Sequence, residues 1–373
     1  MVFGDPTAES SFPISQLFAA QSGPNESLPD DELGPDLLYH YTDSAALTGI
    51  IAPGGWPIEY PDSAVHASAA KLWASDARYM NDEQELLFGA KIFHRHLRRA
   101  ASRPGVDDVL GNAFTAVADA FANLSVYDWE FGCFAVSLSA EPDLLSQWRG
   151  YGGGTGGFAI GFTWDALAGH TFAFHPKSTA MGTTAFRTEL RKVGYGETEA
   201  ERRAELFVSS TIARWHTTGM GGLIREGDAP HLQFLAEQVF REIATVKDDA
   251  FAEEQEWRLW AISEAKYPVN VRSGRSGLVP YLEVGVNLRF DDHTHPTIGA
   301  LIVGPHAVQD GQIAAARELL KMQGTTPCSK GPRFHSGDNR RGSPKCRVVN
   351  DDFPRCCAGG AFRTRKCATG WSV

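Results

Sequence analysis

The sequence contains no apolar run close to the roughly 18 residues that a membrane-crossing helix needs. Its first residues lack the basic segment and apolar core of a secretory leader. A cytoplasmic protein is the resulting expectation. Cysteine is nearly missing from most of the chain. Cys133 stands alone in the body, whereas Cys328, Cys346, Cys356, Cys357 and Cys367 all lie near the end. These five form no C-x-x-C and pair with no histidines, so neither a zinc site nor any other metal is expected. A reducing compartment also disfavours disulfides. The patterns G-x-x-x-x-G-K-[ST], H-E-x-x-H and G-x-S-x-G are absent as well. Their absence removes the P-loop, the helical zinc site and the nucleophile elbow from consideration.

Basic charge is scarce where most of the chain lies. Residues 324–373 hold ten Lys/Arg against three Asp/Glu, leaving 25 against 42 in the first 323 residues, a net charge of -17 there. An acidic body repels long phosphate backbones, so no nucleic-acid partner is expected. A small anionic ligand held by one or two local arginines remains compatible with it.

The hydrophobic periodicity mixes short alternating runs with helical ones and shows no regular βαβ rhythm. Residues 1–35 read as a flexible leader rich in Ser, Pro, Asp and Glu, and residues 324–373 as an irregular, basic, Cys-rich tail. Between them, 36–323 is expected to form a single α+β domain with a mixed, mainly antiparallel sheet and flanking helices. Strands are expected at LLYHYT, KLWAS, FGCFAVSLS, GFAIGF, EWRLWAI, YLEVGVNLRF and IGALIVG, with a weaker one at LRKVGYG. Helices are expected from Asn81 through Leu97, from Leu110 through Leu124, and around 198–218, 231–252 and 309–322.

Several polar residues could carry chemistry. On an extended strand Glu254, Glu256 and Arg258 would share one face, with Trp257 and Leu259 turned into the core. Two carboxylates beside a guanidinium can grip hydroxyls and polarise a reacting centre, and Glu256 is expected to be half-exposed at a cleft. A surface ion-pair cluster is the plainer alternative. His40 and Tyr41 alternate on the opening strand, so one of them belongs to the core. Ser137 and Ser139 share a face of their strand. Asn81 and Asp82 either cap a helix or, with Glu85, face a pocket. The segment from Gly150 to Gly157 has six glycines in eight residues. It is expected to turn beside a pocket floored by Ser137 and Ser139 and walled by Trp148, Arg149 and Tyr151, with aromatics for stacking and a cation for phosphate.

Taken in order, LYHYT, LWASDARYMNDEQE, FAVSLSAEPDLLSQWRGYG followed by GFAIGF, and EEQEWRL with the lysine ahead of it resemble a bacterial family known as domain of unknown function 2971. The matching positions are Tyr41, then Asn81, Asp82 and Glu85, then Ser137 with Trp148 and Tyr151, then Glu254, Glu256 and Arg258, and finally Gly304-Pro305. The resemblance spans about 37–323. The Ser-x-x-Pro-Phe/Tyr-Arg segment that would close the family domain is replaced by the Cys-rich tail.

The order of His, Ser-x-Ser and Glu-x-Glu is also similar to that of ADP-ribosyltransferases. That similarity implies NAD as cofactor. His40 would hold its ribose, Ser137 and Ser139 would shape the nicotinamide pocket, Trp148 or Tyr151 would stack, and Glu256 would be catalytic. Breaking the nicotinamide–ribose bond builds oxocarbenium character that a carboxylate offsets. The expected function is therefore an NAD-using transferase or glycohydrolase, in a toxin or phage-defence setting, with an unidentified macromolecular acceptor. A non-catalytic nucleotide- or partner-sensing module is the alternative. A metal-dependent nuclease using Asp82, Glu85, Glu254 and Glu256 comes third.

Overall fold

The fold is described from a computed structural model over residues 34–52, 56–59, 66–79, 83–122, 133–153, 156–169, 171–174, 188–217, 229–262, 270–274, 277–287, 297–322 and 347–348. The strands are β1 (Leu37–Thr42), β2 (Trp56–Glu59), β3 (His66–Asp76), β4 (Cys133–Ser139), β5 (Phe158–Thr163), β6 (Thr171–Phe174) and β7 (Thr188–Lys192). They continue with β8 (Gly194–Tyr195), β9 (Val246–Lys247), β10 (Glu256–Ile262), β11 (Asn270–Gly274), β12 (Gly277–Asn287), β13 (Ile298–Val303) and β14 (Arg347–Val348). The helices are α1 (Ser44–Ile50), α2 (Glu83–Ala100), α3 (Asp108–Ala122), α4 (Leu145–Tyr151), α5 (Trp164–Gly169), α6 (Gly196–Thr217), α7 (Ala229–Ile243) and α8 (Gln309–Met322). This is an α+β fold built on a mainly antiparallel sheet, as the periodicity implies.

Strand β4 is the hub. Along one edge it pairs with β10 through its whole length, from Cys133↔Ile262 to Ser139↔Glu256. Its other edge is shared. There β3 pairs at Phe134 and Ala135, and β1 pairs at Ser139. The sheet therefore forks at β4 into two wings. One runs β1–β5–β13–β14 and the other β3–β12–β11, with β2 beside β3 and β6 beside β12. Beyond β10 lies β7. In the basic tail, Arg347 and Val348 pair with Val303 and Ile302 at the edge of β13.

Alternation along the strands sends side chains to two cores. On one face Leu38, Leu72, Val136, Leu138, Ile160, Trp257, Leu259 and Val284 pack beneath α1, α5 and α8. On the other, Cys133, Ala135 and Trp260 meet Phe93, Phe114, Val208 and Phe240 from α2, α3, α6 and α7. A small third cluster on this second face joins Tyr41, Ala159 and Ile302 to Trp148. Trp257 and Leu259 are in the core as their alternation demands.

Some boundaries differ from the periodicity. The second of the two central helices, expected over 231–252, stops at Ile243. Val246 continues its apolar spacing because it lies in the same core, but on β9, which pairs in parallel with Gly194 of β8. β3 begins five residues before the KLWAS segment, among small residues with little strand propensity.

Candidate functional site

Three adjacent strands, β10, β4 and β1, carry the acidic, serine and histidine motifs. Ser139 is in register with Glu256 on one side and Tyr39 on the other, and Ser137 is in register with Arg258. Residues directly opposite one another point to the same face. Tyr39, Ser137, Ser139, Glu256 and Arg258 thus share the face that bears the small Tyr41–Trp148 cluster.

Glu256 opens β10 and is 5% exposed. Arg258 donates from Nε to its Oε1 at 2.8 Å and from Nη2 to its Oε2 at 3.1 Å. Lys247 Nζ lies 2.8 Å from Glu256 Oε2 and 2.7 Å from Glu254 Oε2. The Arg258 Nη1 also donates to the Ala244 carbonyl. Burial by itself would raise the Glu256 pKa, but Arg258 and Lys247 outweigh it and hold the carboxyl at about 2. Two carboxylates and two cations thus form a buried, neutral cluster. The half-exposed position expected for Glu256 is not what the chain adopts, because α7 and β9 bring the Ala244 carbonyl and Lys247 over it.

Glu254 reaches the cluster by another route than the expected strand. It ends a 3-10 helix, Asp249–Glu254, and Gln255 follows with φ of 41° in the left-handed region. This kink starts β10 only at Glu256, and Lys247 joins the two carboxylates. The sequence marks Lys247 only as the lysine ahead of EEQEWRL in the family resemblance, with no role attached to it. Tyr195, whose hydroxyl accepts the Glu256 N–H at 2.7 Å, left no sequence signal. Burial pushes its phenol up to about 12.

Ser139 is committed to the backbone. Its Oγ donates to the Glu254 carbonyl at 2.7 Å and accepts the Glu141 N–H at 3.0 Å. Tyr41 is the core member of the His40–Tyr41 pair. Its hydroxyl donates to the Glu141 carbonyl at 2.7 Å and accepts the Leu144 N–H at 3.1 Å.

His40 occupies the fork. It donates from Nδ1 to the Ser137 carbonyl at 3.0 Å, an acceptor on the β4 edge between the pairs made by β3 and the pair made by β1. By alternation it is on the face of Leu38, opposite the side chains of Ser137 and Glu256. Burial lowers its pKa, the bond to Ser137 opposes that, and the Arg272 charge lowers it further. The ring is therefore neutral at pH 7, with its proton on Nδ1 and Nε2 left as an acceptor.

The glycine segment answers to backbone, and its aromatics do not line one wall. A Cβ on Gly157, at φ of 110°, would lie 2.5 Å from the Gly152 Cα, and one on Gly152 would lie 2.1 Å from the Gly156 carbonyl oxygen. The chain folds against itself there. Helix α4 turns Trp148 inward, 4.6 Å from the Tyr41 ring and against Gly304, with Nε1 donating to Asp143 at 2.8 Å. Arg149, next in sequence, is exposed, and so is Tyr151. The shared pocket wall expected of these three residues is not formed: Trp148 is buried, Arg149 points about 100° away from it round the helix, and Tyr151 at the helix end is exposed.

Asn81 and Asp82 lie outside the described residues, as does the side chain of Glu85. Among the described residues no three His, Cys, Asp or Glu side chains converge so as to hold a metal ion, and no helix is long and apolar enough to cross a membrane.

At the level of sequence, residues 147–259 match the model of a family described as a protein of unknown function, DUF2971. The matched stretch runs from α4 into β10. It includes Trp148, Arg149, Tyr151, Glu254, Glu256 and Arg258 and stops short of β1 and β4. No curated protein and no solved structure matches the chain. The similarity to ADP-ribosyltransferases thus rests on the order of the motifs alone.

Proposed function

We propose that the protein uses an NAD-type dinucleotide, cleaving the bond between nicotinamide and ribose and passing ADP-ribose to water or to an acceptor. The observation that carries this reading is the adjacency of β10, β4 and β1. Motifs some 100 residues apart in sequence become neighbours, with Glu256 registered on Ser139 and His40 bonded to Ser137.

In this reading the neutral His40, on the opposite face of the sheet from Glu256, braces β4 through the Ser137 carbonyl and does not touch the ribose itself. As the C1′–N bond breaks, its electron pair leaves with nicotinamide and positive charge grows on the ribose. Glu256, ionised throughout the physiological range, is the carboxylate that offsets that charge. Glu254 positions the acceptor, which supplies the electron pair for the new bond and releases a proton. Incubating the full chain with NAD and following free nicotinamide tests the reading. Release above the spontaneous rate supports it, and none with water or any tested acceptor overturns it.

A second reading is favoured by the charge state of the cluster. Arg258 and Lys247 already neutralise Glu256, which suits a structural clamp beneath a non-catalytic nucleotide-sensing site. Saturable NAD binding without nicotinamide release is its signature.

A further inference from the structure

The wing formed by β3, β12 and β11 carries a group of side chains that the motif reading does not use. The registers Trp73↔Glu283, Ser75↔Tyr281 and Arg272↔Val279 place Lys71, Trp73, Ser75, Arg272, Tyr281 and Glu283 on one face. Trp73 is 45% exposed, unusual for the largest apolar side chain on a strand. The Tyr281 ring lies 5.0 Å from it at an interplanar angle of 43°. The Arg272 guanidinium carbon is 5.7 Å from the Trp73 ring centroid. Lys71 and Glu283 close this face with an ion pair of 3.1 Å.

Arg272 is the informative residue. Its Nη2 donates to Ser75 Oγ at 2.9 Å, and its Nη1 makes a long contact of 3.4 Å to the Ser273 carbonyl. Nε is buried and meets no acceptor, and among the described residues no carboxylate pairs with this guanidinium. More deeply buried cations of the fold have a carboxylate: Arg78 has Asp76, Lys247 has Glu254 and Glu256, and Arg258 has Glu256. This half-buried guanidinium has a buried Nε without an acceptor and, among the described residues, no anion beside it, and its fork of donors matches a phosphate. Beside it, an open indole and a phenol offer flat faces for a planar ring.

We infer that this face binds a nucleoside phosphate, with the base against Trp73 and Tyr281 and a phosphate on Arg272. Glu283 and Ser75 are placed to meet ribose hydroxyls or an exocyclic amine. The acidic body favours a free nucleotide over a polymer, whose many phosphates it would repel. The inference goes beyond the proposed function, since it needs neither Glu256 nor any bond cleavage.

The test uses ADP, which has no nicotinamide bond, titrated calorimetrically into the full chain. Saturable one-to-one binding is expected, weakened at least tenfold by Arg272→Ala and by Trp73→Ala. Arg272→Lys should recover part of the affinity, because a point charge replaces a two-pronged donor. Trp73→Ala removes an exposed side chain, so its melting temperature should stay near that of the wild type. It decides the matter even if Arg272→Ala unfolds. Absence of saturable ADP binding by the wild type, equal affinity in Trp73→Ala, or preference for polyuridylate over ADP would each overturn the inference.

Discussion

His40 donates from Nδ1 to the main-chain carbonyl of Ser137, and this single bond, 3.0 Å long, closes the fork where β1 and β3 part on β4. A ladder carbonyl that has lost its strand partner would otherwise be left unpaired, which costs on the order of 1–3 kcal/mol when buried.

His40→Asn should therefore keep a donor near Ser137 and fold, whereas His40→Ala should lower stability by about 1–2 kcal/mol. Because the folded pKa is depressed below the ordinary 6.5, His40 contributes stability that is full above pH 6.5 and is lost as pH falls below it. Urea midpoints from pH 5 to 8 should show this slope in the wild type and a smaller one in His40→Asn. Identical slopes would remove His40 from the account of acid sensitivity.

Glu237 on α7 should respond with the opposite sign. Burial raises its carboxyl to about 7, with Arg241 opposing. A raised pKa means stability that is full below the unfolded value near 4.5 and is lost as pH rises through 7. Glu237→Gln should remove that loss and stabilise the protein at pH 8 by up to roughly 3 kcal/mol. Thermal melting at pH 5 and pH 8 checks it, and a variant equally affected at both would assign Glu237 another role.

The buried cluster makes Glu256 structural as well as chemical. Glu256→Gln leaves Arg258 and Lys247 facing an amide, and breaking a buried pair of this kind typically costs about 3–5 kcal/mol. In the wild type the contribution is present above pH 4.5 and is lost between there and about 2, as the carboxyl protonates. A chemical-denaturation midpoint unchanged in Glu256→Gln would contradict the geometry of the cluster.

Helix α4 separates two neighbours sharply. Trp148→Ala empties a buried site and should cost about 3–5 kcal/mol, while Arg149→Ala should stay within about 0.5 kcal/mol. Gly157→Ala should be strongly destabilising, since its Cβ would meet the Gly152 backbone. Denaturation of the three variants tests whether this segment is packing. A large loss of nucleotide affinity in Arg149→Ala with stability unchanged would return it to the site.

Periodicity made the α+β class legible, together with the cores of α2 and α3 and the inward turn of Trp257 and Leu259. It placed Glu254, Glu256 and Arg258 together and the strand EWRLWAI at its observed bounds, but Glu254 joins them from a 3-10 helix and not from that strand. Sequence spacing could not show that Lys247 bridges the two carboxylates, because that contact depends on β9 meeting β8. It could not separate Trp148 from Arg149 as core and solvent either, since a seven-residue helix gives too little period to orient its faces. The Arg272–Trp73 face escaped notice because its members come from strands about 200 residues apart and form no local motif. Long-range pairing, more than local propensity, decides where such groups meet.

The most direct measurement is the release of nicotinamide from NAD by the folded wild type, with Glu256→Gln and Glu254→Gln compared at a temperature where each is fully folded. The account predicts turnover by the wild type, a fall on the order of 10²–10⁴ in Glu256→Gln, and a smaller fall in Glu254→Gln. A wild type that binds NAD yet releases no nicotinamide, or a folded Glu256→Gln as active as the wild type, would contradict it.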